Sequence, residues 1–172
     1  MNKDTFFHKL KIVEEKSHLE NAYSHVIYQL FDIVLGDEYS LVDVSSLKRQ
    51  ENRNVAPDDL IAVPDFVVTD KAYRFEKMES SHILGCIEVK YHDKDVTEPT
   101  RLTSVNGKKG YKETYNNKVI YTNGWIWNCW IDDKNDTIDF RKEENQTNKK
   151  YGELLNYLCS IEWASEKTNG EN

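Results

Sequence analysis

Two apolar runs near the middle of the chain have charged residues set inside them. LIAVPDFVVT (Leu60–Thr69) contains Asp65, and ILGCIEVKY (Ile83–Tyr91) contains Glu88 and Lys90. Short runs rich in β-branched residues read as strands, and strand side chains alternate between faces. Glu88 and Lys90 therefore share one face, and Ile87 and Val89 share the other. The 22 residues between Asp65 and Glu88 are enough for two neighbouring strands and a connection. Such a pairing would set Asp65 beside Glu88 while apolar neighbours hold both strands in a sheet.

The remaining pattern surrounds such a sheet with helices. Leu19, Ala22, Tyr23, Val26, Ile27, Leu30, Phe31 and Val34 recur at three- and four-residue steps within a helical stretch from about Asp4 to Leu35. That stretch has a candidate break near Ser17, and Gly36 suits its end. Tyr39–Val44 reads as a strand, and SSLKRQENRNVAPDD as a loop or flap. Beyond Lys90, the spacing gives a loop over Asp95–Arg101 and a helix over Val105–Asn116, interrupted by Gly107 and Gly110. Strands follow at Lys118–Thr122 and Trp125–Ile131, then a turn over Asp132–Asp136 and a strand at Thr137–Arg141. A closing helix, Tyr151–Ala164, offers Leu154, Leu155, Leu158 and Ile161 to a core. The order predicts an α/β fold, a mixed sheet flanked by helices, in one domain over residues 1–172.

Composition narrows the class further. With 38% hydrophobic, 12% aromatic and 31% charged residues, the 172-residue chain reads as globular. No apolar run approaches the roughly 18–20 residues of a membrane span, and the N-terminus lacks a signal-peptide core, so a cytoplasmic location is expected. Cys86, Cys129 and Cys159 are far apart, which fits reduced thiols, with Cys86 and Cys129 as small core residues. Trp125, Trp127 and Trp130 sit in an apolar strand context that favours packing over base stacking. The net charge of -7 does not announce a nucleic-acid binder. Arg101–Lys118, however, holds five basic residues against the single acid Glu113, and Lys108, Lys109 and Lys112 are candidate phosphate contacts.

The grouping of Asp65, Glu88 and Lys90 has a chemical meaning. Carboxylate oxygens are hard ligands suited to Mg²⁺, with Mn²⁺ as a substitute, and the Val89 carbonyl is a further candidate donor. A divalent cation polarises a phosphodiester and acidifies water in its shell. A lysine two residues beyond the carboxylate can orient that water and offset charge developing in the transition state.

With Pro64-Asp65 and Glu88-x-Lys90 in this order, on strands after an N-terminal helix bearing an acid, the chain resembles the PD-(D/E)xK nuclease superfamily. That superfamily includes restriction endonucleases and Holliday-junction resolvases. The stretch GYKETYNNKVIYTNGWIWNCWI is also similar to the helix–strand–TNG–strand segment of nuclease domains related to restriction-enzyme motor subunits. The resemblance implies a restriction-endonuclease-like α/β/α sandwich that hydrolyses DNA with Mg²⁺. It makes Glu20 a candidate metal ligand, against its competing reading as half of a Ser17–Glu20 capping box. It also implies that such domains can act as homodimers or with a partner protein. Many relatives place a Gln on the helix after the motif lysine. None lies between Lys90 and Lys118 here, where Lys109, Lys112 or Glu113 are the stand-ins. Two other classes remain open: a catalytically silent binding protein of this fold, such as a phage or mobile-element accessory factor or inhibitor, and a subunit targeted by a partner.

Overall fold

In the computed structural model, which describes residues 1–17, 19–47, 59–74, 82–91, 96 and 99–164, the stretch read as one helix is two. They are α1 (Lys3–Lys16) and α2 (Glu20–Val34), separated at the foreseen break. Asn2 caps α1, its side-chain oxygen accepting the Thr5 N–H at 2.8 Å, with Asp4 in the first turn and Lys16 in the last. Both charges oppose the helix dipole at their ends. Gly36, at φ +56°, supplies the left-handed turn after α2.

Among the described residues six strands follow in chain order: β1 (Tyr39–Asp43), β2 (Phe66–Asp70), β3 (Ile83–Val89), β4 (Lys118–Thr122), β5 (Ile126–Ile131) and β6 (Lys134–Asp139). A single helical turn, α3 (Tyr111–Thr114), precedes β4, and α4 (Asn148–Cys159) comes after β6. Spatial order equals sequence order across the sheet, and every pairing is antiparallel except β3 with β4. That parallel step needs a crossover, which the segment from Lys90 to Asn117 provides.

The sheet separates two cores. On one face α1, α2 and α4 press Phe6, Phe7, Leu10, Ile27, Phe31, Leu154 and Leu158 onto Phe66, Val68, Ile87, Val89 and Trp127. On the other, Leu60, Val96, Tyr111 and Tyr115 cover Val67, Cys86, Val119 and Tyr121. A bulge at the start of β3 lets Thr69 pair with Ile83 but Val68 with Gly85. It resets the alternation, so Leu84 and Ile87 face the helices while Cys86 faces the second core. The architecture is thus α/β, a six-stranded mixed sheet flanked by helices, consistent with a restriction-endonuclease-like sandwich.

Several sequence-predicted bounds move. The Val105–Asn116 helix is reduced to Tyr111–Thr114, because Val105 and Lys108 pair with each other and Asn106 (φ 51°) and Gly107 (φ 76°) make the intervening turn. Leu60 lies outside β2, bridging instead to Lys109. The last strand begins at Lys134 rather than Thr137, since the hairpin turn is only Asp132–Asp133 and Asp132 takes a positive φ. The closing helix stops at Cys159. Most of the polar segment after Val44 lies outside the described residues. Cys86 and Cys129 are buried free thiols, and the three tryptophans of β5 and its approach are buried, as their context suggested. No helix among the described residues is long and apolar enough to cross a membrane.

The TNG turn between β4 and β5 has a clear chemical basis. The Asn123 side-chain oxygen accepts the amides of Trp125 (3.1 Å) and Ile126 (2.8 Å), while Thr122 Oγ1 accepts the Gly124 amide at 2.9 Å. Gly124 stands at φ +84°, and a Cβ there would lie 2.5 Å from a Leu10 methyl. Gly124→Ala should therefore lower stability by about 2 kcal/mol, combining left-handed backbone strain with the displaced Leu10. Urea denaturation of the variant beside the wild type measures this, and a loss near zero would show that the turn relaxes freely.

Candidate active site

Strand register brings the acidic residues together. β2 and β3 run antiparallel with Phe66 opposite Ile87, so the next step of the register sets Asp65 opposite Glu88. The Val44 amide donates to the Asp65 carbonyl at 2.9 Å, extending the β1–β2 pairing past the end of β2. Asp65 Oδ2 accepts the Val89 amide at 2.7 Å, which ties its carboxylate to the end of β3. On the other side of β3, the Lys90 amide donates to the Thr122 carbonyl at 2.8 Å. These bonds hold the backbone that carries the three side chains at adjoining strand ends.

Glu88 is 1% exposed and its carboxylate is fully engaged. Oε1 accepts Lys90 Nζ and, at 2.8 Å, Arg101 Nη1; Oε2 accepts the Tyr111 hydroxyl at 3.0 Å. A buried carboxylate needs such partners, because desolvation of an unpaired charge is prohibitive. Asp65 is held differently. Burial, and then the charge of Glu88, push its carboxyl up to about 7, against the lowering pull of the Val89 amide and Lys90. Burial also raises the Tyr111 hydroxyl far above its ordinary range, so it stays protonated and donates.

Glu20, at the first turn of α2, reaches over the end of the sheet. Its Oε2 accepts the Tyr91 amide at 3.2 Å, and its Oε1 lies 4.0 Å from Lys90 Nζ. The N-cap of α2 is Leu19, with no side-chain capping bond, so Glu20 faces the Glu88–Lys90 strand end rather than closing a capping box. Asp65 also borders a cleft of about 390 Å³, walled by Asn21, Ser24, His25 and Tyr28 of α2 and by Asp43 and Ser45.

The basic strip divides. Lys118 is only 3% exposed, and its ammonium lies 3.7 Å from Asp132, so it leaves the surface strip. Lys109 pairs with Asp59 at 3.1 Å, and its backbone bridges the Leu60 segment. Lys108 lies in an exposed turn, and Lys112 lies in α3 beside Tyr111. These three occupy the segment that leads from the site to β4. His92, two residues beyond Lys90, lies outside the described residues.

Two contacts on Glu88 were not read from sequence as site contacts. In the sequence Arg101 stands only as a member of the basic strip. At the position sought for a Gln, the residue that touches the site is Tyr111, rather than Lys109, Lys112 or Glu113. The available signal was a tyrosine opening α3 in GYKETY, masked by its ordinary appearance as a packing aromatic.

The donor set suits a hard divalent cation: oxygen ligands throughout, and two like-charged carboxylates across one strand pair. The oxygen groups named for it in sequence are the Asp65 and Glu88 carboxylates and the Val89 carbonyl, with Glu20 bonded to the Tyr91 amide. Among the described residues, no group of three or more His, Cys, Asp or Glu side chains is drawn together as a ligand cluster. Glu88 is turned to Lys90 and Arg101 instead.

No family model matches the chain, and no curated protein matches it. Among solved structures it is similar to a chain in a cryoEM structure of a DrdV–DNA complex, with a TM-score of 0.60 and 14% sequence identity. The likeness covers 93% of this chain and 14% of that one, so this chain corresponds to a small part of that protein. At that identity the shared property is the fold.

Proposed function

We propose that the chain is a metal-dependent phosphodiesterase domain that hydrolyses nucleic acid, DNA foremost, with Asp65, Glu88 and Lys90 as its reacting centre. The observation that carries this reading is the strand register that sets Asp65 opposite the buried Glu88, with the Asp65 carboxylate tied to the Val89 amide. Two carboxylates brought together at a strand end, with Asp65 bordering a cleft, favour a shared cation. The solved DNA complex of similar fold supports DNA as the substrate class.

In this reading Asp65 and Glu88 hold Mg²⁺ or Mn²⁺, with the Val89 carbonyl and Glu20 as further oxygen donors. The cation supplies Lewis-acid polarisation of the phosphate and acidified water. Lys90, between Glu88 and Glu20, positions the attacking water and offsets the charge that grows on the phosphoryl oxygens. Tyr111 fixes the orientation of Glu88 through Oε2 and keeps the second core closed beneath the site. The test is a cleavage screen with Mg²⁺, Mn²⁺ or EDTA over supercoiled, linear, single-stranded and branched substrates. Metal-dependent cleavage by wild type and none by Glu88→Ala is expected; no cleavage of any substrate by wild type would overturn the reading.

Lys108, Lys109 and Lys112 are proposed phosphate contacts beside this centre. Neutralising all three should weaken oligonucleotide binding, each lost contact removing about one unit of the log–log salt slope. Lys109, already paired with Asp59, should contribute least. Anisotropy titrations over a salt series decide this, and an unchanged slope would reduce these lysines to surface solvation.

A second reading, a catalytically silent binding protein on the same fold, rests on a specific observation. Glu88 is already neutralised by Lys90 and Arg101, as in a structural ion-pair network. It predicts partner binding that survives Glu88→Gln, with no metal-dependent heat in calorimetry.

A further inference from the structure

The pairing of Arg101 with Glu88 has a consequence for the proposed centre. Two cationic side chains converge on one oxygen, Glu88 Oε1. They are not equivalent. Lys90 has a second carboxylate, Glu20, at 4.0 Å, and its side chain is 22% exposed. The Arg101 side chain is 41% exposed, so its guanidinium enters the buried site from solvent. The backbone around it is pinned: the Arg101 carbonyl accepts the Tyr111 amide at 3.0 Å, and the Leu102 carbonyl accepts the Lys112 amide at 3.1 Å. The Arg101 side chain also meets the Tyr111 hydroxyl, so with the backbone held, its withdrawal from Glu88 is a movement of the side chain that gives up that contact as well. One carboxylate oxygen engages one edge of the guanidinium, whose planar fork matches a phosphate bidentately.

We infer that Arg101 is the phosphate-binding residue of this centre, parked on Glu88 until a nucleic-acid phosphate draws it away and frees the carboxylate for the cation. The inference rests on the proposed function. It makes the phosphodiester itself the signal that completes the metal site, so cation and substrate bind cooperatively. A cation arriving alone must compete with Arg101 for Glu88.

Wild type, Arg101→Ala and Arg101→Gln are compared in two binding experiments that do not depend on turnover. The first is calorimetric Mn²⁺ titration without nucleic acid. The second is anisotropy of a double-stranded oligonucleotide in EDTA over a salt series. Both variants should bind Mn²⁺ about tenfold more tightly, because their competitor is gone, and the oligonucleotide about tenfold more weakly. The salt slope should fall by about one unit. The tightening separates this role from a merely structural one, in which metal affinity would fall along with the melting temperature. Mn²⁺ affinity that is unchanged or weaker in both variants overturns the Arg101 inference alone when wild type binds both Mn²⁺ and oligonucleotide. Wild type that binds neither overturns the proposed function together with it.

Discussion

Glu88→Ala and Lys90→Ala are each expected to reduce metal-dependent cleavage about a thousandfold or more, and to fail for different reasons. Removing Glu88 deletes a proposed ligand, so metal affinity should fall with turnover. Removing Lys90 should leave the metal bound, or bind it more tightly, while the attacking water loses its positioning group. Their stabilities should also part. Polarity alone would make Glu88 a harmless substitution, but it is 1% exposed and receives Lys90, Arg101 and the buried Tyr111 hydroxyl. Glu88→Ala strands all three, at a cost of about 3 kcal/mol. Glu88→Gln retains an acceptor for Tyr111 and should recover part of that loss without recovering turnover. Lys90→Ala leaves Glu88 with Arg101 and Tyr111, so its cost should be about 1 kcal/mol. Calorimetry, cleavage assays and denaturant melts on each variant make the comparison. Equal metal affinity in Glu88→Ala and wild type would remove Glu88 from the ligand set.

The second large effect concerns pH. In the folded chain Asp65 binds its proton up to about 7, whereas its ordinary value is 3.8. Between those values the folded state holds a proton that the unfolded state has released. The metal-free protein should therefore lose stability as pH rises through this window, then level off above it. The loss attributable to Asp65 is on the order of 3 kcal/mol, reduced from the full shift because the group is partly exposed. Asp65→Asn should abolish this component. The difference between the two proteins isolates it from Asp70 and Asp139, whose lowered values act in the opposite direction. Melts in EDTA from pH 4 to 8 measure it, and superimposable profiles would show that Asp65 is not destabilised by burial. At pH 8, Mg²⁺ should stabilise wild type and leave Asp65→Asn nearly unaffected, because the cation relieves the same repulsion.

What the sequence settled by itself was local and periodic. The strand-forming runs around Asp65 and Glu88 announced β2 and β3, and alternation along β3 placed Glu88 and Lys90 on one face. The three- and four-residue spacing from Leu19 to Val34 announced α2. Each of these signals lies within one continuous stretch of chain, where backbone geometry alone dictates which side chains share a face. The Val105–Asn116 segment forms a shorter helix, Tyr111–Thr114, than its spacing predicts. Asn106 and Gly107 there form a turn between Val105 and Lys108, and the next residue, Lys109, bridges to Leu60, far away in sequence.

Everything at the centre that involves two distant segments was decided by tertiary structure. The antiparallel register that sets Asp65 opposite Glu88, the arrival of Glu20 at the Tyr91 amide and the contacts of Arg101 and Tyr111 with Glu88 all depend on packing. A basic strip reads the same whether its residues are solvated, as Lys108 is, buried like Lys118, or turned inward like Arg101. Charge and spacing are properties of the chain. Burial, which fixes both the cost of that charge and the partner that offsets it, is a property of the fold.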